Sequence, residues 1–143
     1  MASILVDTGV WYAFCDSRDD TVPREVIDDL YARVKAHSII MPWPIAYETL
    51  RTRFVHNRLA LERFEREMRS QRINQVDDAP YRQEALALSI ESSLRRRRPL
   101  SMVDCVLRLL IDDGSTKIRY VVTFNQPDFV DVCRRRQIEL WHQ

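Results

Sequence analysis

Ser3-Ile4-Leu5-Val6-Asp7-Thr8-Gly9 reads as a four-residue strand that runs directly into an acid. Three consecutive bulky apolar side chains with no polar alternation mark a strand buried on both faces, as in a parallel sheet. The same pattern returns in Ser38-Ile39-Ile40-Met41, stopped by Pro42 and Pro44, and in Tyr120-Val121-Val122-Thr123. Arg72 to Val76 and Ile138 to Trp141 are predicted as further strands. Helix-period segments lie between them. Helices are predicted from Val10 to Ser17 and from Pro23 to His37, the second with Val26, Ile27, Leu30 and Val34 as its inward stripe. Another opens at Pro44 and runs through Ile45, Leu50, Phe54 and Val55 to Asn57, followed by one from Leu59 to Ser70. Pro80 to Leu94, a helix capped by Ser101 and running to Asp112, and Pro127 to Arg136 complete the set. Alternating strands and helices predict an α/β fold with a mainly parallel sheet.

Four acids fall at equivalent places in this pattern. Asp7 ends the first strand, and Glu48 lies just over one turn into the helix after the second. Asp104 is in the first turn of the helix opened by Ser101, and Asp128 is in the first turn after the Tyr120–Thr123 strand. In a parallel sheet, strand C-termini and the N-termini of the following helices share one rim, so these acids are expected to converge there. Each also has an ordinary reading. Asp7 can cap a helix, Asp104 can pair with Ser101 or Arg108, Glu48 with Arg51, and Asp128 can favour a helix dipole. Together they are costlier to explain away, because clustered carboxylates repel unless a cation joins them. Oxygen ligands with no His or Cys nearby suit Mg²⁺ or Mn²⁺. Such a centre performs metal-assisted phosphoryl chemistry, with a polarised phosphate and an activated water. Asp7, Asp104 and Asp128 are the expected metal ligands and Glu48 completes the catalytic set. Thr8, Ser101, Thr123 and Asn125 are expected to orient ligands and water.

These motifs, in this order and spacing, resemble the PIN-domain ribonucleases over nearly the whole chain. Asp7-Thr8-Gly9 resembles the first acidic motif of that family, and Pro44-Ile45-Ala46-Tyr47-Glu48-Thr49 the second. Pro99-Leu100-Ser101-Met102-Val103-Asp104 resembles the third, and Thr123-Phe124-Asn125-Gln126-Pro127-Asp128-Phe129 the fourth. The resemblance implies a three-layer α/β/α domain with a central parallel sheet of four to five strands. It also implies Mg²⁺- or Mn²⁺-dependent cleavage of single-stranded RNA. Many stand-alone domains of this size are VapC-like toxins, commonly homodimers silenced by a small antitoxin. One departure is Asn125, where many relatives carry an acid; Asp128 is then the nearest fourth carboxylate.

The 143 residues and the absence of a Gly- or Ser-rich linker predict one domain over 1–143. No uncharged apolar run approaches the ~18 residues of a membrane helix. The net charge of +1 argues against bulk electrostatic binding of nucleic acid, yet it is a sum of unlike halves: residues 1–50 carry −4 and residues 51–143 carry +5. Of 22 basic residues, 20 are Arg, whose planar fork matches phosphate, although coding bias explains the excess equally well. Arg95, Arg96, Arg97 and Arg98 lie just before the Ser101–Asp104 helix and are expected to hold RNA phosphates at the acidic rim, with Arg51 and Arg53 extending the surface. A solvated, mixed-charge surface is the alternative.

Trp11, Tyr12, Phe14 and Trp43 are expected mainly in the core. His37, His56 and His142 stand apart from the acids. Cys15, Cys105 and Cys133 show no Cys-x-x-Cys spacing, and with no signal peptide a reducing cytoplasm is expected. A catalytically weak or inactive PIN-fold RNA-binding or scaffolding protein is the second reading, supported by Asn125. Receiver and haloacid-type phosphatase readings fit poorly, the first for want of a Lys after a late strand, the second because Gly9 replaces a needed Asp.

Overall fold

The first strand, β1 (Ser3–Val6), is the middle of a five-stranded sheet in the computed structural model, which describes residues 2–96 and 98–141. Arg97 and His142 lie outside the described residues. Flanking β1 are β2 (Ser38–Pro42) and β4 (Ile118–Val122), with β3 (Ile73–Val76) and β5 (Glu139–Trp141) at the edges. The order is β3-β2-β1-β4-β5 and every pairing is parallel. Ile4 stands opposite Ile39 and Tyr120, and Leu5 opposite Ile40 and Val121. Ile4, Leu5, Val6, Ile39, Met41, Val121 and Val122 are all buried, which is why the central strands are unbroken apolar runs.

The chain steps from β1 to β2 to β3 in one direction, then returns past β1 to β4 and β5. Right-handed crossovers therefore place the helices of the first half on one face and those of the second half on the other. The packing agrees. α1 (Thr8–Cys15) contacts α2 (Arg24–Val34), α3 (Trp43–Thr49) and α5 (Arg58–Met68), and the short α4 (Thr52–Val55) packs on α5. Opposite them, α7 (Met102–Asp112) contacts α6 (Arg82–Arg95) and α8 (Val130–Arg135). This is the three-layer α/β/α arrangement expected, and the sheet has the upper of the two strand numbers. Among the described residues no helix is long and apolar enough to cross a membrane.

Some local expectations differ. The helix expected from Pro44 to Asn57 is two helices, because Leu50 (φ −84°, ψ 41°) and Arg51 (φ −73°, ψ 161°) leave helical geometry. No Pro or Gly marks that break; Thr49 and Thr52, β-branched and weak in helices, flank it. Val26, placed in the inward stripe of α2, is 40% exposed, because Ile27, Leu30 and Val34 alone define the buried face. The helix expected from Pro127 is a 3₁₀ turn at Gln126–Asp128 followed by α8.

α7 begins as its sequence predicts: the Ser101 hydroxyl oxygen accepts the Asp104 N–H at 3.1 Å. Ser101→Ala is expected to cost about 1 kcal/mol, measured by urea denaturation, because that N–H then has no partner in the chain. Of the two ordinary pairings open to Asp104, the one with Ser101 is made, and the one with Arg108 is not found among the described residues. Arg108 instead grips α8, donating from Nη1 and Nη2 to the two Asp131 carboxylate oxygens at 2.7 Å and from Nη1 to the Asp128 carbonyl at 2.6 Å. Those bonds hold the Asp131 carboxyl at about 2, below its ordinary value. A depressed folded pKa contributes stability that is present above pH ~4 and lost as pH falls towards 2. Asp131 is 57% exposed, so the pair is screened. Asp131→Asn should cost no more than about 1 kcal/mol at pH 7 and clearly less at pH 2, compared by denaturant melts at the two pH values.

Candidate active site

Asp7 follows the end of β1 and Thr123 the end of β4, so the pair stands where the strand order reverses. In open α/β sheets that switch point opens a crevice outside the strand C-termini. Asp7 is fixed there from both sides. Its Oδ1 accepts the Thr8 N–H at 2.8 Å, and its Oδ2 accepts the Thr123 hydroxyl at 2.8 Å. The Thr123 oxygen in turn accepts the Asn125 N–H at 3.0 Å. Thr123 is fully buried, and a backbone bond from the Asp7 N–H to the Val122 carbonyl at 3.0 Å extends the β1–β4 ladder into the site.

Three of the expected acids line one cleft of about 320 Å³: Asp7, Glu48 and Asp104, together with Thr8, Ser101 and Asn125. Gly9, Tyr12, Arg51 and Phe124 complete its wall. Glu48 is brought in by α3. The Tyr12 hydroxyl donates to the Glu48 carbonyl at 2.7 Å and ties α3 to α1. That role of Tyr12 was not foreseen; its position five residues after Asp7 was the only signal. Arg51 lines the cleft beside Glu48 without forming an ion pair among the described residues. Its near neighbour Arg53 lines an adjoining hollow that shares Tyr12 and Arg51.

Asp128 is placed differently. Its carboxylate is buried and does not line the cleft. Oδ1 accepts Arg98 Nε at 2.6 Å and is ion-paired to Arg98 Nη2, while Oδ2 accepts the Asn125 side-chain amide. Arg98 Nη2 also reaches Asn125 Oδ1 at 3.5 Å. Arg98 therefore does reach the acidic rim, though as the partner of an acid. Arg95 and Arg96 are exposed, Arg96 lying 3.9 Å from Glu91. Trp11 is buried as expected, and the three cysteines are buried and free.

The electrostatics of the cleft are those of crowded acids. Burial, and then the Asp7 and Asp128 charges, push the Asp104 carboxyl up to about 6. Asp7 is raised mainly by burial, against the two hydrogen bonds that lower it. An oxygen-only donor set with more negative charge than Arg51 can offset suits a hard divalent cation. Among the described residues, no three acids, thiols or imidazoles already converge as a metal cage. The fit is thus one of donor chemistry and charge, with Asp7, Glu48 and Asp104 lining one cleft. The raised Asp104 carboxyl also fixes a sign for the metal-free chain. Its contribution to stability is full below pH ~4 and lost as pH rises through 6, so melting temperature should fall over that range and fall less in Asp104→Asn.

No family model and no curated protein matches the sequence. A solved structure does match the fold: VapBC2 from Rickettsia felis, bound to a DNA fragment from their promoter. The likeness covers 97% of this chain and 97% of that one, with a TM-score of 0.55 at 12% identity. At that identity the backbone path is what the two share, and with its five parallel strands between two helical layers it makes this chain a PIN-like α/β/α fold.

Proposed function

We propose that the protein is a Mg²⁺- or Mn²⁺-dependent endoribonuclease acting on single-stranded RNA, and the toxin component of a toxin–antitoxin pair. The observation that supports it most is that Asp7, Glu48 and Asp104, from three separate elements, line one cleft at the switch point. A bound divalent ion would supply polarisation of the scissile phosphate and a lowered pKa for an attacking water. Asp7 and Asp104 are the residues to hold that ion. Thr8 and Thr123 keep the Asp7 carboxylate from rotating, and Ser101 starts the helix that presents Asp104. Glu48, anchored through its carbonyl by Tyr12, is the group to orient the water and take its proton. Arg51 and Arg53 flank the cleft, and exposed Arg95 and Arg96 extend the cationic surface for RNA phosphates.

The likeness to a VapBC2 structure supports a small antitoxin as partner. An apolar stripe on α6 supports a protein partner too, whether antitoxin or a second copy in a homodimer: Leu86, Ile90 and Leu94, spaced four apart, are 47%, 49% and 72% exposed. Three free, buried cysteines suit a reducing cytoplasm. The second reading, an RNA-binding scaffold that cleaves nothing, is favoured by one observation: the fourth acid is already taken by Arg98.

The test is incubation of the purified chain with a mixed-sequence single-stranded RNA. Cleavage with Mg²⁺ or Mn²⁺ that stops on adding EDTA is expected. Cleavage that survives chelation overturns the metal mechanism, and RNA binding without cleavage selects the scaffold.

A further inference from the structure

We infer that Arg98 withholds Asp128 from the metal centre, so that the site takes a single divalent ion, with the Arg98 guanidinium as a fixed cation beside it. This rests on the metal-dependent reading of the Asp7–Glu48–Asp104 cleft. Asp128 is 6% exposed, and each of its carboxylate oxygens already has a partner. Arg98 takes Oδ1 through Nε and Nη2, and Asn125 takes Oδ2. Arg108 takes the Asp128 carbonyl at 2.6 Å, and the Asp128 N–H donates to the Asn125 carbonyl at 3.2 Å. Both side-chain oxygens of Asp128 are thus engaged, and Asp128 does not line the cleft.

Releasing it would break two charge-assisted bonds at a buried carboxylate, the costly kind, since removing one partner strands the other charge. The partner, by contrast, has reach to spare. Arg98 is 54% exposed, and its Nη1 makes no bond among the described residues. One face of the guanidinium is therefore satisfied by Asp128 while an N–H pair remains for a phosphate oxygen. Asn125 is the hinge of the arrangement: its backbone N–H serves Thr123, and through it Asp7, while its side chain serves Asp128 and Arg98. An acid at 125 would set a second negative charge against Asp128 and call for a second cation. With Asn there, one arginine suffices. Arg98 is a positioning residue on this account, acting through Asp128.

Calorimetric titration of the metal-free full chain with Mn²⁺ tests it, with metal stoichiometry as a readout independent of cleavage. The wild-type chain is expected to bind one ion. Asp128→Asn should bind one ion with affinity within about twofold, whereas Asp104→Asn should lose at least tenfold, as a removed ligand does. Arg98→Gln should free Asp128 and either add a second ion or tighten binding by about tenfold, and Arg98→Lys, which keeps the charge, should restore single-ion binding. Two ions on the wild-type chain, or a tenfold loss in Asp128→Asn, would overturn the inference and leave the metal-dependent nuclease standing. No Mn²⁺ uptake by the wild-type chain overturns the metal centre itself and this inference with it.

Discussion

Asp7→Asn is expected to reduce RNA cleavage by about 10³-fold, the loss of several kcal/mol of metal-borne transition-state stabilisation, while leaving the fold intact. The two effects separate because of how Asp7 is held. Asn keeps one oxygen to accept the Thr8 N–H. Its amide then faces the Thr123 hydroxyl, whose oxygen has a second lone pair beside the one taken by the Asn125 N–H and can accept instead. The side chain stays in place with most of its bonds. Stability should even gain slightly at pH 7, because burial and the Glu48 and Asp128 charges already push the Asp7 carboxyl up and disfavour its ionised form. Single-turnover cleavage and a urea melt on the same preparation check both halves. Full activity in a well-folded Asp7→Asn would remove Asp7 from the chemistry, and unfolding would show that the carboxylate is needed for structure.

The acids were legible because their positions follow from topology. A residue at the end of β1, one in the helix after β2 and one in the first turn of α7 must share a rim once the strands are parallel, and the alternation of strand and helix segments argued for parallel strands. What the sequence hid are pairings across long separations. Arg108 had an acid four residues before it in Asp104, yet it pairs with Asp131, 23 residues away, because the buried face of α7 turns Arg108 towards α8. Asp128 and Arg98 are 30 residues apart. Each looked like a member of its own cluster, one acidic and one basic, and only the return of the chain past β1 sets them together. The break at Leu50 and Arg51 was hidden for the opposite reason: the apolar spacing runs through it, and the Tyr12–Glu48 tie that holds α3 in place is made to a carbonyl, which no side-chain pattern can reveal.

Trp11→Ala should cost about 3–5 kcal/mol, a large part of the 5–15 kcal/mol that holds a typical domain together, and should take the site with it. Trp11 is 1% exposed and packs edge-on against Phe14 at 6.1 Å and Phe64 at 5.6 Å, joining α1 to α5. Truncation leaves a cavity that Phe64, also engaged with Phe54, cannot fill without leaving that contact. The consequence for function follows from the length of α1. It spans only Thr8–Cys15, begins at the residue that donates to Asp7 and carries the Tyr12 that ties down Glu48. Loosening α1 therefore disturbs two of the three acids at once. Trp11→Phe separates packing from polarity. The indole N–H is buried without a partner among the described residues, so its removal offsets part of the lost contact, and the net change should stay within about 1 kcal/mol. Urea denaturation of both variants, with the Mn²⁺ titration repeated at a temperature where each is folded, is the measurement. Weakened metal binding in the Ala variant and near-native binding in the Phe variant are expected. Native binding in a stably folded Ala variant would show that α1 holds the acids without its core anchor.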